Sequence, residues 1–155
     1  MKKINMYTDG SAIGNPGPGG YGIILDWEGY IKELTGGYRK TTNNRMELMA
    51  VIIGLESIKN KPADVTIYSD SKYVIDAIDK NWLFNWEKKN FKGKKNNDLW
   101  KRFLKIFRKH KVIFEWVKGH NNHPQNERCD FLAAQSAKGI YLDIDEFYEK
   151  ISNDL

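Results

Sequence analysis

The stretch Lys3-Ile4-Asn5-Met6-Tyr7-Thr8-Asp9-Gly10-Ser11 decides how the rest of the chain is read. Ile4, Met6 and Thr8 alternate with Asn5 and Tyr7, a period of two that predicts a β-strand. Asp9 falls where this strand is expected to give way to a glycine-rich turn. A carboxylate at a strand end is held more rigidly than one on a free loop, and rigidity is what a metal site needs. Taken alone, Asp9-Gly10 is first of all a turn dipeptide. The other segments supply the reasons to read it as a ligand.

With 155 residues, 41% of them apolar, the chain can bury a core without staples and is expected to form one domain over 1–155. No apolar run approaches the ~20 residues of a membrane span. Met1-Lys2-Lys3 leads directly into the alternating strand, so neither a signal core nor a separate N-terminal binding domain is expected. The single cysteine, Cys129, fits a cytoplasmic protein and reads as a small packing residue rather than a nucleophile. Nothing demands more than a monomer or an obligate protein partner. The net charge of +5 is unevenly spread. Between Lys80 and Lys111 twelve Lys/Arg face only Glu87 and Asp98, which leaves the rest of the chain acidic. A basic protrusion over about 80–98 therefore suits a polyanion.

Gly14-Asn15-Pro16-Gly17-Pro18-Gly19-Gly20 is too rich in breakers for a strand interior, and predicts a loop. Residues 21–27 and 30–38 read as strands joined by the turn Glu28-Gly29, completing an antiparallel meander. Thr42-Asn43-Asn44-Arg45-Met46-Glu47 opens a helix with Met46, Met49, Ala50, Ile53 and Ile58 as its buried stripe. Glu47 at the edge of that stripe either caps the first turn or points at a site. Residues 64–68 form a strand running into Ser69-Asp70-Ser71, where Asp70 or Ser69 either caps the next helix or repeats the strand-end acid of Asp9.

Most aromatics of the basic segment read as core, with a helix over 97–110 burying Leu99, Phe103, Ile106 and Phe107. Trp82, Trp86 and Phe91, beside Lys88, Lys89, Lys92, Lys94 and Lys95, read as a surface for a phosphate backbone, against the plainer alternative of a solvated lysine face. After a strand over 112–117, the polar loop Lys118-Gly119-His120 offers a histidine for proton transfer. Pro124 opens a helix whose small residues Cys129 and Ala133 let it approach the sheet and bring Asp130 near the strand ends. A last short helix is expected within 143–153, with no chemistry of its own.

Asp9, Glu47, Asp70 and Asp130 are hard oxygen donors from separate elements, a set that suits Mg²⁺. Zinc lacks its cysteines and paired histidines, and no phosphate-cradling Gly-x-x-x-x-Gly-Lys-Ser/Thr or Gly-x-Ser-x-Gly elbow is present. The motifs Thr8-Asp9-Gly10-Ser11, Gly14 to Gly22, Thr41 to Leu48, Ser69-Asp70-Ser71, Trp116 to His120 and His123 to Asp130 together resemble the type 1 ribonuclease H family in its bacterial ribonuclease HI form.

That resemblance implies an α/β fold with a five-stranded mixed sheet, its first three strands antiparallel, and helices on both faces. It implies an endonuclease that cuts the RNA strand of RNA/DNA hybrids by two-metal-ion catalysis, leaving 5′-phosphate and 3′-hydroxyl ends. Asp9, Glu47, Asp70 and Asp130 match the family's acids for two Mg²⁺ ions, with Mn²⁺ as a substitute and Asp9 as the bridge. Asp130 falls to the ion on the attacking-water side, and Glu47 and Asp70 to the ion on the departing 3′ oxygen. His120 matches the loop histidine assisting proton transfer or product release; His123 matches a structural position.

By the same resemblance Asn15, Asn43 and Asn44 read 2′-hydroxyls of the RNA strand. Thr42, Asn96 and Lys40 match a pocket for a DNA-strand phosphate, and Trp82 with Lys88, Lys89, Lys94 and Lys95 matches the protrusion that grips the DNA strand. The loop between Phe91 and Asn96 is short for the family, Phe91 stands where tryptophan is common, and Lys40 replaces a usual arginine, giving up bidentate phosphate geometry. Altered affinity with retained chemistry is the expectation. Two alternatives are a DNA-cutting relative of the same fold and a catalytically dead hybrid-binding module.

Overall fold

Glu28 and Gly29, with φ of 51° and 90°, make a two-residue reversal that sets the twist and register of a tight hairpin. In the computed structural model, which describes residues 1–119 and 122–153, this reversal joins β2 (Gly17–Trp27) to β3 (Tyr30–Thr41). Before them lies β1 (Lys2–Ala12); after them come α1 (Asn43–Glu56), β4 (Ala63–Ser69), α2 (Lys72–Asp79), α3 (Trp82–Lys88) and α4 (Asn97–Phe107). The chain closes with β5 (Lys111–Trp116), α5 (Pro124–Ala137) and α6 (Glu146–Asn153). The strands form one sheet in the order β3-β2-β1-β4-β5. β1, β2 and β3 pair antiparallel, while β4 and β5 add in parallel beside β1. The mixed sheet expected from the resemblance is the one observed.

The alternation along the strands separates two apolar layers. Met6, Ile23 and Leu25 pack with α1 and α4 on one face; Tyr7, Ile24 and Cys129 of α5 pack on the other. α1 departs from the expected single stripe. Arg45, Met46, Leu48 through Ile52, Gly54 and Leu55 are all buried, because the helix is enclosed by neighbouring elements on every side. Ile53 is only partly buried, and Ile58 lies beyond the helix end.

The glycine-rich segment also differs from its expected loop. Gly17 to Gly20 belong to β2, and a Cβ on Gly20 would lie 2.7 Å from the Ala133 carbonyl oxygen. On Gly22 it would lie 2.4 Å from the Cys129 carbonyl oxygen. Both are absent side chains that let α5 settle against the sheet, and at Gly20 a loop had been expected.

Candidate active site

Asp9 does not end its strand: β1 runs three residues further, and Asp9 pairs with Gly22 of β2. What ends near it is the other ladder. The parallel pairing of β1 with β4 stops at Tyr7↔Tyr68, so Asp9 and Asp70 each stand two residues past the same last rung. Parallel register thus places both carboxylates together at the carboxyl end of the paired strands. Gly10 brings in the third. A Cβ there would lie 2.2 Å from the Met46 carbonyl carbon and 2.4 Å from the Glu47 nitrogen, so only glycine lets the first turn of α1 press onto β1.

Ligand oxygens of Asp9, Glu47 and Asp70 consequently all lie within 4.8 Å of one another. Asp9 is buried, and burial first, then repulsion from Asp9 and Asp70, holds the Glu47 carboxyl well above its ordinary range. Glu47 Oε2 is buried with no hydrogen-bond partner among the described residues. Closely set hard oxygens with an unmet demand for positive charge fit a divalent cation of the Mg²⁺ type. The capping alternatives go elsewhere. Thr42 Oγ1 accepts from Arg45 N at 3.2 Å to cap α1, and Ser71 Oγ accepts from Val74 N at 3.3 Å to cap α2.

Asp130 is exposed on α5 and stands outside this trio. α5 is nevertheless fastened to the rung that precedes the acids. Cys129 Sγ donates to Tyr7 O at 3.3 Å, and buried Asn126 Nδ2 donates to Tyr68 O at 3.1 Å. Burial pushes the Cys129 thiol up to about 12, in keeping with packing rather than nucleophilic chemistry. His123 is the N-cap residue of α5, its ring 6.1 Å from that of Tyr68. His120 lies outside the described residues.

The asparagines flank the acids on a fixed frame. Asn43 Oδ1 accepts from Ala12 N, and Asn15 Oδ1 accepts from Asn43 N at 2.9 Å, so both side chains tie the loop after β1 to the start of α1. Asn44 is exposed beside them. Thr42 and Asn96 line a cleft of about 710 Å³ together with Asn15 and Lys94, while exposed Lys40 donates to Ser152 Oγ at 3.4 Å. Lys88, Lys89, Lys94 and Lys95 are exposed, as is Trp82, with Lys80 Nζ 5.1 Å over its ring.

Phe91 and Trp86 require correction as surface groups. Phe91 is 7% exposed within the core, and Trp86 packs edge-on to Trp100 at 5.9 Å. Their apolar area is worth more against α4 than against water. Sequence reasoning missed Arg45, Asp98 and Asp145. A charged residue in a first helical turn otherwise directed at the core was the signal, since a buried guanidinium must find carboxylates.

Solved structures share this arrangement of strands and helices. LC9-RNase H1, described as a type 1 RNase H with the type 2 active-site motif, superposes with a TM-score of 0.82 at 30% identity, over 91% of this chain and 74% of that one. LC11-RNase H1 in complex with RNA/DNA hybrid gives 0.62 at 25% identity, over 87% and 96%. The fold is that of the ribonucleases H. The profile of the RNase H family matches residues 1–138. Ribonuclease H of Desulforamulus reducens is 51% identical over 94% of both chains, and that of Lachnoclostridium phytofermentans 55% identical over 95% of this chain and 99% of its own. The chain belongs to the ribonuclease H family and is an endoribonuclease of that family.

Proposed function

We propose that this chain hydrolyses the RNA strand of RNA/DNA hybrids by divalent-metal catalysis, leaving 5′-phosphate and 3′-hydroxyl ends. The observation that carries the reading is the trio Asp9, Glu47 and Asp70, forced together by strand register and by Gly10. With Asp130 from α5 these residues would hold two Mg²⁺ ions, or Mn²⁺ in their place. Ions held there supply positive charge to the entering and leaving oxygens of a phosphodiester. Asp9, reached from both α1 and β4, suits the shared position. His120 is assigned to proton transfer or product release.

Substrate selection falls to the asparagines and the cleft. With the oxygens of Asn15 and Asn43 already accepting from backbone, their amide nitrogens are the groups that can donate to a 2′-hydroxyl oxygen. Asn44 joins them, Thr42, Asn96 and Lys40 take a DNA-strand phosphate, and Trp82 with Lys88, Lys89, Lys94 and Lys95 holds the DNA strand further out. The LC11-RNase H1 complex with hybrid supports this class of partner. No helix among the described residues is long and apolar enough to cross a membrane. We assign residues 1–155 to one catalytic domain acting as a cytoplasmic monomer.

The test is cleavage of one labelled RNA strand paired with DNA, paired with RNA, and alone, each with Mg²⁺ and with EDTA. Cutting of the hybrid alone, and only with metal, is expected. Cutting of all three, or of a DNA duplex, would remove the 2′-hydroxyl reading. Metal-independent binding without cutting would make the chain a binding module.

A further inference from the structure

Arg45 lines the same cleft as Thr42 and Asn96, yet its guanidinium has nothing left to offer a substrate. Nε and Nη2 donate to Asp145 at 2.7 and 2.9 Å, Nη1 and Nη2 donate to Asp98 at 2.9 and 2.7 Å, and Nη1 donates to Asn96 Oδ1 at 3.3 Å. All the N–H groups of an arginine are thereby used. The side chain is 1% exposed, so it acts through its neighbours.

The neighbour facing the cleft is Asn96. Its oxygen is taken by Arg45 and its Nδ2 donates to Tyr73 Oη at 2.8 Å, while that hydroxyl also accepts from Trp100 Nε1 at 3.0 Å. The amide cannot flip without breaking both bonds, and one N–H remains with a fixed direction. A fixed donor suits a phosphate oxygen.

The clamp on Arg45 comes from the end of the chain. Buried Asp145 accepts from Thr41 Oγ1 at 2.7 Å, from Arg45 twice and from Tyr148 N at 3.4 Å, so it joins β3, α1 and the start of α6. α6 is laid back along β3 by the Arg39–Glu149 pair at 2.9 Å. Its side chains Phe147, Tyr148, Ile151 and Ser152 line the cleft together with Asn15, Thr42 and Asn96.

We propose that residues 143–152 belong to the substrate site: Asp145 is a positioning residue that orients Asn96 through Arg45, and α6 is the wall, built on Phe147 and Ile151, against which a deoxyribose-phosphate unit of the DNA strand rests. The proposal rests on the hybrid reading above and adds the C-terminal segment to it. Asn96 offers the cleft a hydrogen-bond donor, as phosphate requires. α6 adds Phe147 and Ile151 to the same lining, with Tyr148 and Ser152 beside them.

The experiment measures KM and kcat on a hybrid, with melting temperature alongside, for the full chain and for Asp145→Asn, Asn96→Asp and Ile151→Ala. The DNA strand is either unmodified or carries one uncharged methylphosphonate, placed at each linkage in turn. For Asp145→Asn and Ile151→Ala, KM on the unmodified hybrid is expected to rise about 3- to 10-fold with kcat changed less than about 2-fold. The methylphosphonate at one linkage raises KM for the unaltered chain, and that increment disappears in Asn96→Asp and shrinks in Asp145→Asn. Ile151→Ala leaves the buried charges intact, so the wall is tested even where Asp145→Asn fails to fold. Unchanged KM in the folded variants, or a full methylphosphonate increment in both Asn96→Asp and Asp145→Asn, overturns the proposal while hybrid cleavage stands. An unaltered chain that neither binds nor cuts hybrid overturns both.

Discussion

Two residues apart near the start of α1, Arg45 and Glu47 open onto charge clusters built on opposite terms. Arg45 sits in a complete set of hydrogen bonds from Asp98, Asp145 and Asn96, with its charge more than matched. Glu47 sits against Asp9 and Asp70, like charges within 4.8 Å, with one oxygen unpartnered among the described residues. Both clusters remove charge from water; the first carries its cation within it, while the second sets three carboxyl groups side by side. The first joins distant parts of the chain; in the second, the buried Glu47 Oε2 is the atom that a cation would serve. Charge that a fold fails to compensate is better evidence of function than charge it buries well.

The largest difference between the clusters is expected in catalysis. Asp9→Asn or Asp70→Asn should lower kcat on hybrid by about 10³-fold or more, the scale of lost electrostatic stabilisation, with hybrid affinity kept. Full activity in either variant would end the metal assignment. The satisfied cluster should break in the opposite sense. Asp145→Ala takes one of the two carboxylates from a buried guanidinium and should cost about 3–5 kcal/mol in denaturant unfolding, where breaking an exposed pair such as Arg108–Glu87 should change stability far less.

A third variant separates the two by sign. Glu47 has its carboxyl raised above the ordinary 4.5 by burial and by the neighbouring acids. A carboxylate raised in the folded state binds its proton more tightly folded than unfolded. Its charge therefore destabilises the fold above the raised value, and that penalty is relieved as pH falls through it. Glu47→Gln should raise the metal-free melting temperature at neutral pH, with the gain shrinking toward pH 4.5 and Mg²⁺ stabilising the variant less than the parent. A variant less stable than the parent at neutral pH would contradict the account.

The smallest effect belongs to charges that are neither buried nor clustered. Replacing Lys88, Lys89, Lys94 and Lys95 together by Ala should raise KM with little change in kcat, and flatten the dependence of log Kd on log salt by about 0.7–0.9 per lost phosphate contact. A fall in kcat at constant KM would mean that the protrusion does not hold substrate.

Much of this was legible in the chain because it is local. The alternation of Ile4, Met6 and Thr8 predicts β1, and Glu28-Gly29 predicts its hairpin partner strands, because strand period and turn chemistry act over a few residues. The acids were legible as one set of oxygen donors, with a turn as the alternative for Asp9 and a cap as the alternative for Glu47 and Asp70. Ser71 and Thr42 took the caps, which no spacing could decide. Gly20 was misread as a breaker, since a glycine that admits a helix and one that admits a turn look alike in one dimension. Phe91 was misread because a lysine-rich flank masks a residue that α4 buries.

The sequence by itself determined the strand and helix periods, the acid and asparagine positions, and the uneven charge. Only the tertiary structure decided that Asp9 and Asp70 stand equally far past the same last rung, that Gly10 admits Glu47, and that Asp145 from the far end closes over Arg45. Periodicity follows from neighbours along the chain. Meeting of charges depends on register and on backbones approaching to van der Waals contact, which residues forty or a hundred positions apart settle together in three dimensions.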